Sequence, residues 1–354
     1  MDKRNRFSIG ILVLFIGLMI GAWGCQKEEA PAAPPVATAP EAKPAAPAAP
    51  PVAPAPAAGK VYRFAFIPKA LHIPVFNYAK IGAERQAKLY GNVEIIWNAP
   101  FQNDQVKQKE ILETFIAQGV DGIAISCLNG DYLTPTINEA VDKGIPVVTW
   151  DSDAPKSKRV AFYGVNDFET GVIMGKEIVK LLGEPGGEIA VITTLGADNL
   201  AKRLEGAMSV IRQSPQIKVV ETFDVEDQAI TSKRVIDTAS ETYPNLRAWL
   251  SVGGWPGFSR NILDRVDAKK TFVVTFDVIP PAPEIIKEGK IQLALGQKYF
   301  GWGSEPTKIL YDIVVNHKYP ENPIVDSGVD IVTPENVDAY IQKWDKMSKG
   351  EIAE

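Results

Sequence analysis

Cysteine and histidine are nearly absent from this chain: 354 residues hold two of each. So few cysteines exclude a disulfide-stapled fold, and if Cys25 is consumed as argued below, Cys127 has no partner within the molecule. The fold must therefore stand on its core. His72 and His317 lie far apart in sequence, which argues against a histidine-built metal centre, and neither a metal nor a cofactor is expected. Basic charge is scarce as well. The formal net charge is -5 and no basic cluster follows Lys3, Arg4 and Arg6, so nucleic acid has no electrostatic footprint here. Catalytic signatures are missing: there is no G-x-S-x-G elbow, no G-x-x-x-x-G-K-[ST] phosphate loop and no G-x-G-x-x-G after a strand, and "GVIMGK" has the wrong spacing. A binding protein is expected rather than an enzyme.

What is present begins with an export layout. Three basic residues precede an apolar run to Ile20, and small residues lead to Cys25 in "GAWGC". A membrane-spanning helix over Phe7 to Trp23 is the alternative. Both readings put the rest of the chain outside the cytoplasm. Residues 26–60 are almost entirely alanine and proline, a composition that cannot bury enough apolar surface to offset the entropy of ordering. In extended form they make a spacer reaching up to roughly 100 Å, at about 3.1 Å per residue.

Past Val61, short β-branched runs alternate with helical periodicity. "VYRFAFIP", "VEIIWNAP", "DGIAISC", "IPVVTWDSD" and "VAFYGVN" read as strands; "GEIAVITTLG", "IKVVETFD", "LRAWLSVGG", "KTFVVTFD" and "IQLALGQ" repeat the series. Helices separate them, as in "DQVKQKEILETFIAQGV", where Val106, Ile111, Leu112, Phe115 and Ile116 predict one apolar face and Gly119 a stop. Nearly continuous apolar strands joined by helices imply parallel sheets covered on both sides. The expected fold is α/β, with two similar doubly wound parallel-sheet lobes joined by a hinge. The expected boundaries are 61–165 plus 298–326 for one lobe and 166–297 plus 327–354 for the other, with crossovers near Tyr163 to Asn166, Gln297 and Val325 to Val329.

Ligands of open parallel sheets bind beyond the carboxyl ends of the strands. The loop after "FAFIP" lies there, with Pro68 and Pro74 bracketing Lys69 and His72, and Phe76 just beyond. Cys127, Asp151, Ser152, Asn199, Trp255 and Asp277 fall at or just past other strand ends. A lone Asp, Ser or Asn in such a place is often a helix cap. A whole set facing across two lobes points to a binding cleft.

The segments "FIPKALHIPVFNYAKIGAERQAKLYG", "NDQVKQKEILETFIAQGVDGIAIS", "DKGIPVVTWDSD", "NLAKRLEGAM", "TFVVTFDVIPPAPEIIKEGKIQLALGQ" and "GWGSEPTKILYD", in this order, resemble the type I periplasmic sugar-binding proteins of the ribose- and galactose-binding kind. The same fold forms the effector domain of lactose-repressor-type regulators, but here a signal and spacer stand where those carry a DNA-binding helix pair. The lipoprotein signal of bacteria is what "GAWGC" resembles, with Cys25 the lipidated residue, although Ala22 stands where leucine is usual. The resemblance implies that Asp151 and Asp277 accept hydrogen bonds from sugar hydroxyls, that Arg203 donates to the ligand or supports the site, and that Asn199, one turn earlier, shares its face. It makes Gln297 a ligand-binding glutamine beside a crossover, Phe76 a stacking aromatic, and Lys69 and His72 polar contacts. Capping remains the alternative for the two aspartates, salt bridging for Arg203, a hinge role for Gln297 and core packing for Phe76.

Departures bear on the ligand. Ser152 stands where ribose-type proteins have arginine, Gly253 to Trp255 replace an amide and carboxylate pair, and Cys127 occupies a region where a polar side chain is usual. Trp150 and Trp255 add bulk, unless Trp150 is buried between sheet and helix. These changes argue against ribose itself and for a ligand with a larger or less densely hydroxylated surface. The expected function is capture of a sugar or polyol by a monomeric solute-binding lipoprotein, followed by delivery to the membrane permease of an ABC importer. Presentation of the ligand to a membrane sensor or chemoreceptor is the alternative. A carbohydrate-processing enzyme using Asp151 and Asp277 is the remote one, since carboxylates on two mobile lobes keep no fixed separation.

Overall fold

Each of the ten apolar runs quoted above forms a strand in the computed structural model, which describes residues 59–354. The export segment, Cys25 and the spacer up to residue 58 lie outside the described residues. The first sheet contains β1 (Tyr62–Ile67), β2 (Val93–Trp97), β3 (Gly122–Ile125), β4 (Val147–Trp150), β5 (Ala161–Gly164) and a short late strand, β11 (Ile324–Asp326). Its order is β11-β5-β4-β3-β1-β2, and every pairing is parallel. The second sheet contains β6 (Gly187–Thr193), β7 (Ile217–Asp224), β8 (Leu246–Ser251), β9 (Phe272–Phe276), β10 (Leu293–Gly296) and β12 (Asp330–Val332). Its order, β12-β10-β9-β8-β6-β7, repeats the first sheet with one change: β12 runs antiparallel to β10. The two six-stranded sheets make two lobes.

The connecting helices are α1 (Phe76–Tyr90), α2 (Gln105–Ala117), α3 (Gly130–Asp142), α4 (Asp167–Leu182), α5 (Asp198–Ile211), α6 (Ala229–Thr242), α7 (Ala282–Lys287), α8 (Gly301–Val314) and α9 (Val337–Lys349). Asp104 caps α2 by accepting from Lys107 N, and Gly119 just past its end takes a left-handed φ of 61°. Its buried face holds Gln108, Leu112, Phe115 and Ile116. Val106, expected on that face, is exposed. Each buried Leu or Phe stabilises the lobe by roughly 1.5 to 3 kcal/mol. Gln108 offsets its own burial by donating to the Pro68 and Ser126 carbonyls and accepting from Leu128 N. That amide ties the loops after β1 and β3 together at the cleft.

Three segments carry the chain between sheets: 165–166, 297–300 and 327–329. Helix α9 touches both lobes. Its Tyr340 hydroxyl donates to the Val278 carbonyl beyond β9, while Trp344 packs edge-on against Tyr78 of α1 at 4.9 Å between centroids. Helices α4 and α5 cross so closely that a Cβ on Gly171 would lie 2.0 Å from the Arg203 carbonyl oxygen, and one on Gly206 2.0 Å from that of Phe168. This close approach brings Arg203 of α5 against Asp167, the first residue of α4. No helix among the described residues is long and apolar enough to cross a membrane.

Candidate functional site

The carboxyl ends of both sheets face one cavity of about 40 Å³, room for a few waters. Lys69, Phe76, Asp151, Asn199, Arg203, Trp255, Asp277 and Gln297 line it, as do Asp227 and Trp302. Two cations stand among three carboxylates, so the lining gives an anionic ligand no net attraction.

Asp151 and Asp277 occupy equivalent places. Each follows a strand end, β4 or β9, with a left-handed φ of 58° or 60°, a conformation in which Asp is enriched among non-glycine residues. Each donates its N–H to the neighbouring strand, Asp151 to the Tyr163 carbonyl at 3.1 Å and Asp277 to the Leu295 carbonyl at 2.8 Å. The same turn thus aims one carboxylate into the cavity from each lobe. Asp151 Oδ2 accepts from Ser126 Oγ at 2.6 Å and pairs with Lys69 Nζ at 2.9 Å. Lys69 also donates to Asn199 Oδ1 at 3.1 Å, a bond from the first lobe to the second.

Asp277 Oδ1 accepts from Gln297 Nε2 at 3.0 Å and from the Tyr299 hydroxyl at 3.2 Å. Burial raises its pKa to about 6, against the lowering influence of Arg203 and of the Gln297 bond. Arg203 is itself buried. Its Nε donates to Asp167 Oδ1 at 2.8 Å, Nη1 to the Val252 carbonyl at 3.3 Å, and Nη2 reaches Gln297 Oε1 at 3.5 Å. Its guanidinium carbon lies 3.7 Å from the Phe276 ring centroid. Asp167, which the sequence reading did not select, is likewise raised to about 6 by burial, with Arg203 opposing. Salt bridging and cavity lining, set as alternatives for Arg203, coexist. Gln297 is both a cavity residue and the first residue of a crossover.

Aromatic walls come from both lobes. Phe76, at the start of α1, lines the cavity and meets Trp150 edge-on at 5.4 Å and Trp302 at 6.0 Å. Trp255, in a 3₁₀ turn after β8, lines the opposite side and donates its Nε1–H to Asp227 Oδ1 at 2.9 Å. Trp150 is fully buried beneath the site, as strand alternation along "VVTWD" allows.

Three expected site residues do not line the cavity. Cys127 packs with Ala65, Ile67 and Leu112, and burial raises its thiol pKa well above the ordinary value. Strand parity explains this: Ser126, one residue earlier, turns its hydroxyl to Asp151, so Cys127 turns to the opposite face. Ser152 is buried; its carbonyl accepts from Cys127 N, and its Oγ has no partner among the described residues. His72 sits at the mouth, with Nδ1 2.9 Å from the Phe101 carbonyl oxygen and Nε2 3.1 Å from that of Asp227. Among the described residues, no group of three or more His, Cys, Asp and Glu is placed to hold a metal ion.

The family model for the periplasmic binding protein domain matches residues 64–318. The chain is 24% identical to a xylose/arabinose-binding protein of Sulfolobus acidocaldarius, over 79% of this chain and 73% of that one. It is 25% identical to the ribose import binding protein of Bacillus subtilis, over 73% of this chain and 84% of the other. Among solved structures, an ABC transporter solute-binding protein from Burkholderia graminis in complex with D-arabinose superposes with a TM-score of 0.73 at 31% identity, covering 79% of this chain and 98% of that one. Shared fold, matched domain and a two-lobed cleft agree: the chain belongs to the type I periplasmic binding protein family, the sugar-binding proteins of ABC importers.

Proposed function

We propose that this protein captures a monosaccharide or related polyol between its lobes, outside the cytoplasm, and delivers it to the permease of an ABC importer. The observation that carries the reading is the matched pair of carboxylates, Asp151 and Asp277, presented by identical turns from both sheets to one cavity with aromatic walls. Sugar hydroxyls donate to such oxygens, while the C–H faces of a sugar ring pack on Phe76 and Trp255. Lys69, Asn199, Arg203 and Gln297 supply the donors and acceptors between. Cys127 and Ser152 have no place in this set, because they pack into the first lobe.

The small space between these side chains means that a sugar enters by separation of the lobes about the three crossovers and is trapped as they close. Contacts made from both lobes exist only in the closed form, so the ligand moves the population toward it. In this reading residues 1–25 are a lipoprotein signal ending at the lipidated Cys25, and 26–60 are a spacer from the membrane to a monomeric binding unit. The lobes comprise 61–165 plus 298–326 and 166–297 plus 327–354.

Calorimetric titration of the purified protein, freed of carried-over sugar, against pentoses, hexoses and polyols tests this. D-arabinose heads the panel because the Burkholderia graminis protein was solved with it. One site per chain is expected, with a change in tryptophan fluorescence on binding. Asp151→Ala and Asp277→Ala should each weaken binding at least about tenfold, the loss of a charged hydrogen bond. Silence across the whole panel refutes the sugar reading.

A further inference from the structure

Asp227 closes the mouth of the cavity from the second lobe, beyond β7. Three groups converge on it. Oδ1 accepts the indole N–H of Trp255 at 2.9 Å, and Oδ2 accepts from Asn103 Nδ2 at 2.9 Å. The Asp227 carbonyl oxygen lies 3.1 Å from His72 Nε2. Asn103 and His72 belong to the loops after β2 and β1, in the first lobe, so the Asn103 bond and the His72 contact both cross the cleft. The Trp255 bond stays within the second lobe and ends on a side chain that lines the cavity.

The backbone here is held in an unusual conformation. Glu226 and Asp227 are consecutive non-glycine residues with left-handed φ values of 51° and 57°. Thr194 Oγ1 accepts the Asp227 N–H at 2.7 Å and Asp224 Oδ1 accepts the Glu226 N–H at 2.9 Å, which fixes the turn. Such conformations persist where the surroundings over-determine them, and they concentrate at clamps and switches.

We propose that Asp227 is a closure latch, a positioning residue that joins cavity-lining Trp255 to Asn103 and His72 across the cleft. The inference rests on the sugar-capture reading and adds a group that lengthens residence time. The cross-cleft bonds exist only after the lobes meet, so they bias the closed population without helping entry. A ligand resting on Trp255 holds the indole that orients Asp227, and Asp227 then holds the opposite lobe. Loss of the latch therefore speeds release and leaves capture alone.

Asn103 does not line the cavity, so Asn103→Ala breaks the latch without removing a ligand contact. The test is stopped-flow tryptophan fluorescence with D-arabinose, D-xylose and D-ribose as probes, on wild type, Asn103→Ala, Asp227→Ala and the double variant. The expected result is a dissociation rate about tenfold faster in each single variant, the scale of one hydrogen bond to a charged group, with the association rate of Asn103→Ala within about twofold of wild type. The double variant should be little faster than Asp227→Ala alone, since both changes break one device. Unchanged dissociation in variants that melt like wild type overturns the latch, as does a double variant whose effects multiply. If no probe binds wild type, the sugar reading fails. The latch, which acts only on the closed form that the sugar draws together, then falls with it.

Discussion

Replacing Asp277 by asparagine should move stability and affinity in opposite directions. In the fold the carboxyl pKa rises from 3.8 to about 6 because burial outweighs Arg203 and the donors from Gln297 and Tyr299. Folded protein thus binds more protons than unfolded protein between these values, and stability falls as pH rises through that window. Above pH 6 the ionised group leaves the fold about 1 to 3 kcal/mol less stable than a neutral one would. Asparagine keeps an oxygen where Oδ1 accepts from Gln297 and Tyr299, so both native bonds survive. The variant's melting temperature at pH 7.5 should rise by a few degrees, at about 2 to 4 °C per kcal/mol for a chain of this class. Near pH 4 the gain should vanish, because wild-type Asp277 is then protonated in the fold. Sugar affinity should fall, since an amide nitrogen replaces an oxygen that accepts from a hydroxyl; about 1 to 2 kcal/mol corresponds to ~5- to 30-fold in Kd. Differential scanning fluorimetry across pH, paired with calorimetric titration, reads both. A lower melting temperature at pH 7.5 with unchanged affinity would refute the assignment of Asp277 as a carboxylate kept for its ligand at a cost to the fold.

The lobes were legible because period-two and period-3.6 patterns are long-range averages, and ten strands carried them in the order the structure repeats. Strands β11 and β12 escaped because three residues each, half of them exposed at a sheet edge, carry no period. Site residues were legible where a strand ended on a polar side chain, as with Asp151 and Asp277. Parity misled the reading at Cys127: the strand end was visible, but the face was set by one residue, and it is Ser126 that turns to Asp151. Asp167 was not selected from the sequence, and only the close crossing of α4 and α5 shows that it holds Arg203. Trp302 was seen only as part of a helix beginning. Asp227 had no local signature at all, since "DVEDQ" lacks the glycine that usually announces a left-handed turn. Its importance comes from contacts with residues more than a hundred positions away.

Two further outcomes follow from the buried groups. Cys127 should resist Ellman's reagent in the native protein and react fully in concentrated guanidinium, because its thiol is buried among Ala65, Ile67 and Leu112 and its pKa is pushed well up; prompt native reaction would place it at the cavity after all. Arg203→Met should destabilise the fold by about 3 to 5 kcal/mol at pH 7.5, the cost of leaving a partner charge buried and unpaired. The stranded partner is Asp167, whose carboxyl already sits at about 6 with the arginine present. Removing the cation raises it further, so the variant's deficit should shrink as pH falls through that raised value towards 6, where Asp167 takes up a proton in the variant's fold before it does in wild type, and level off below. Melting temperatures of wild type and variant measured between pH 4.5 and 8, values chosen to span that window by about a unit or more on each side, read this directly. A deficit that stays constant with pH would mean that Arg203 holds the second lobe by packing on Phe276 and bonding the Val252 carbonyl, with its charge playing no part.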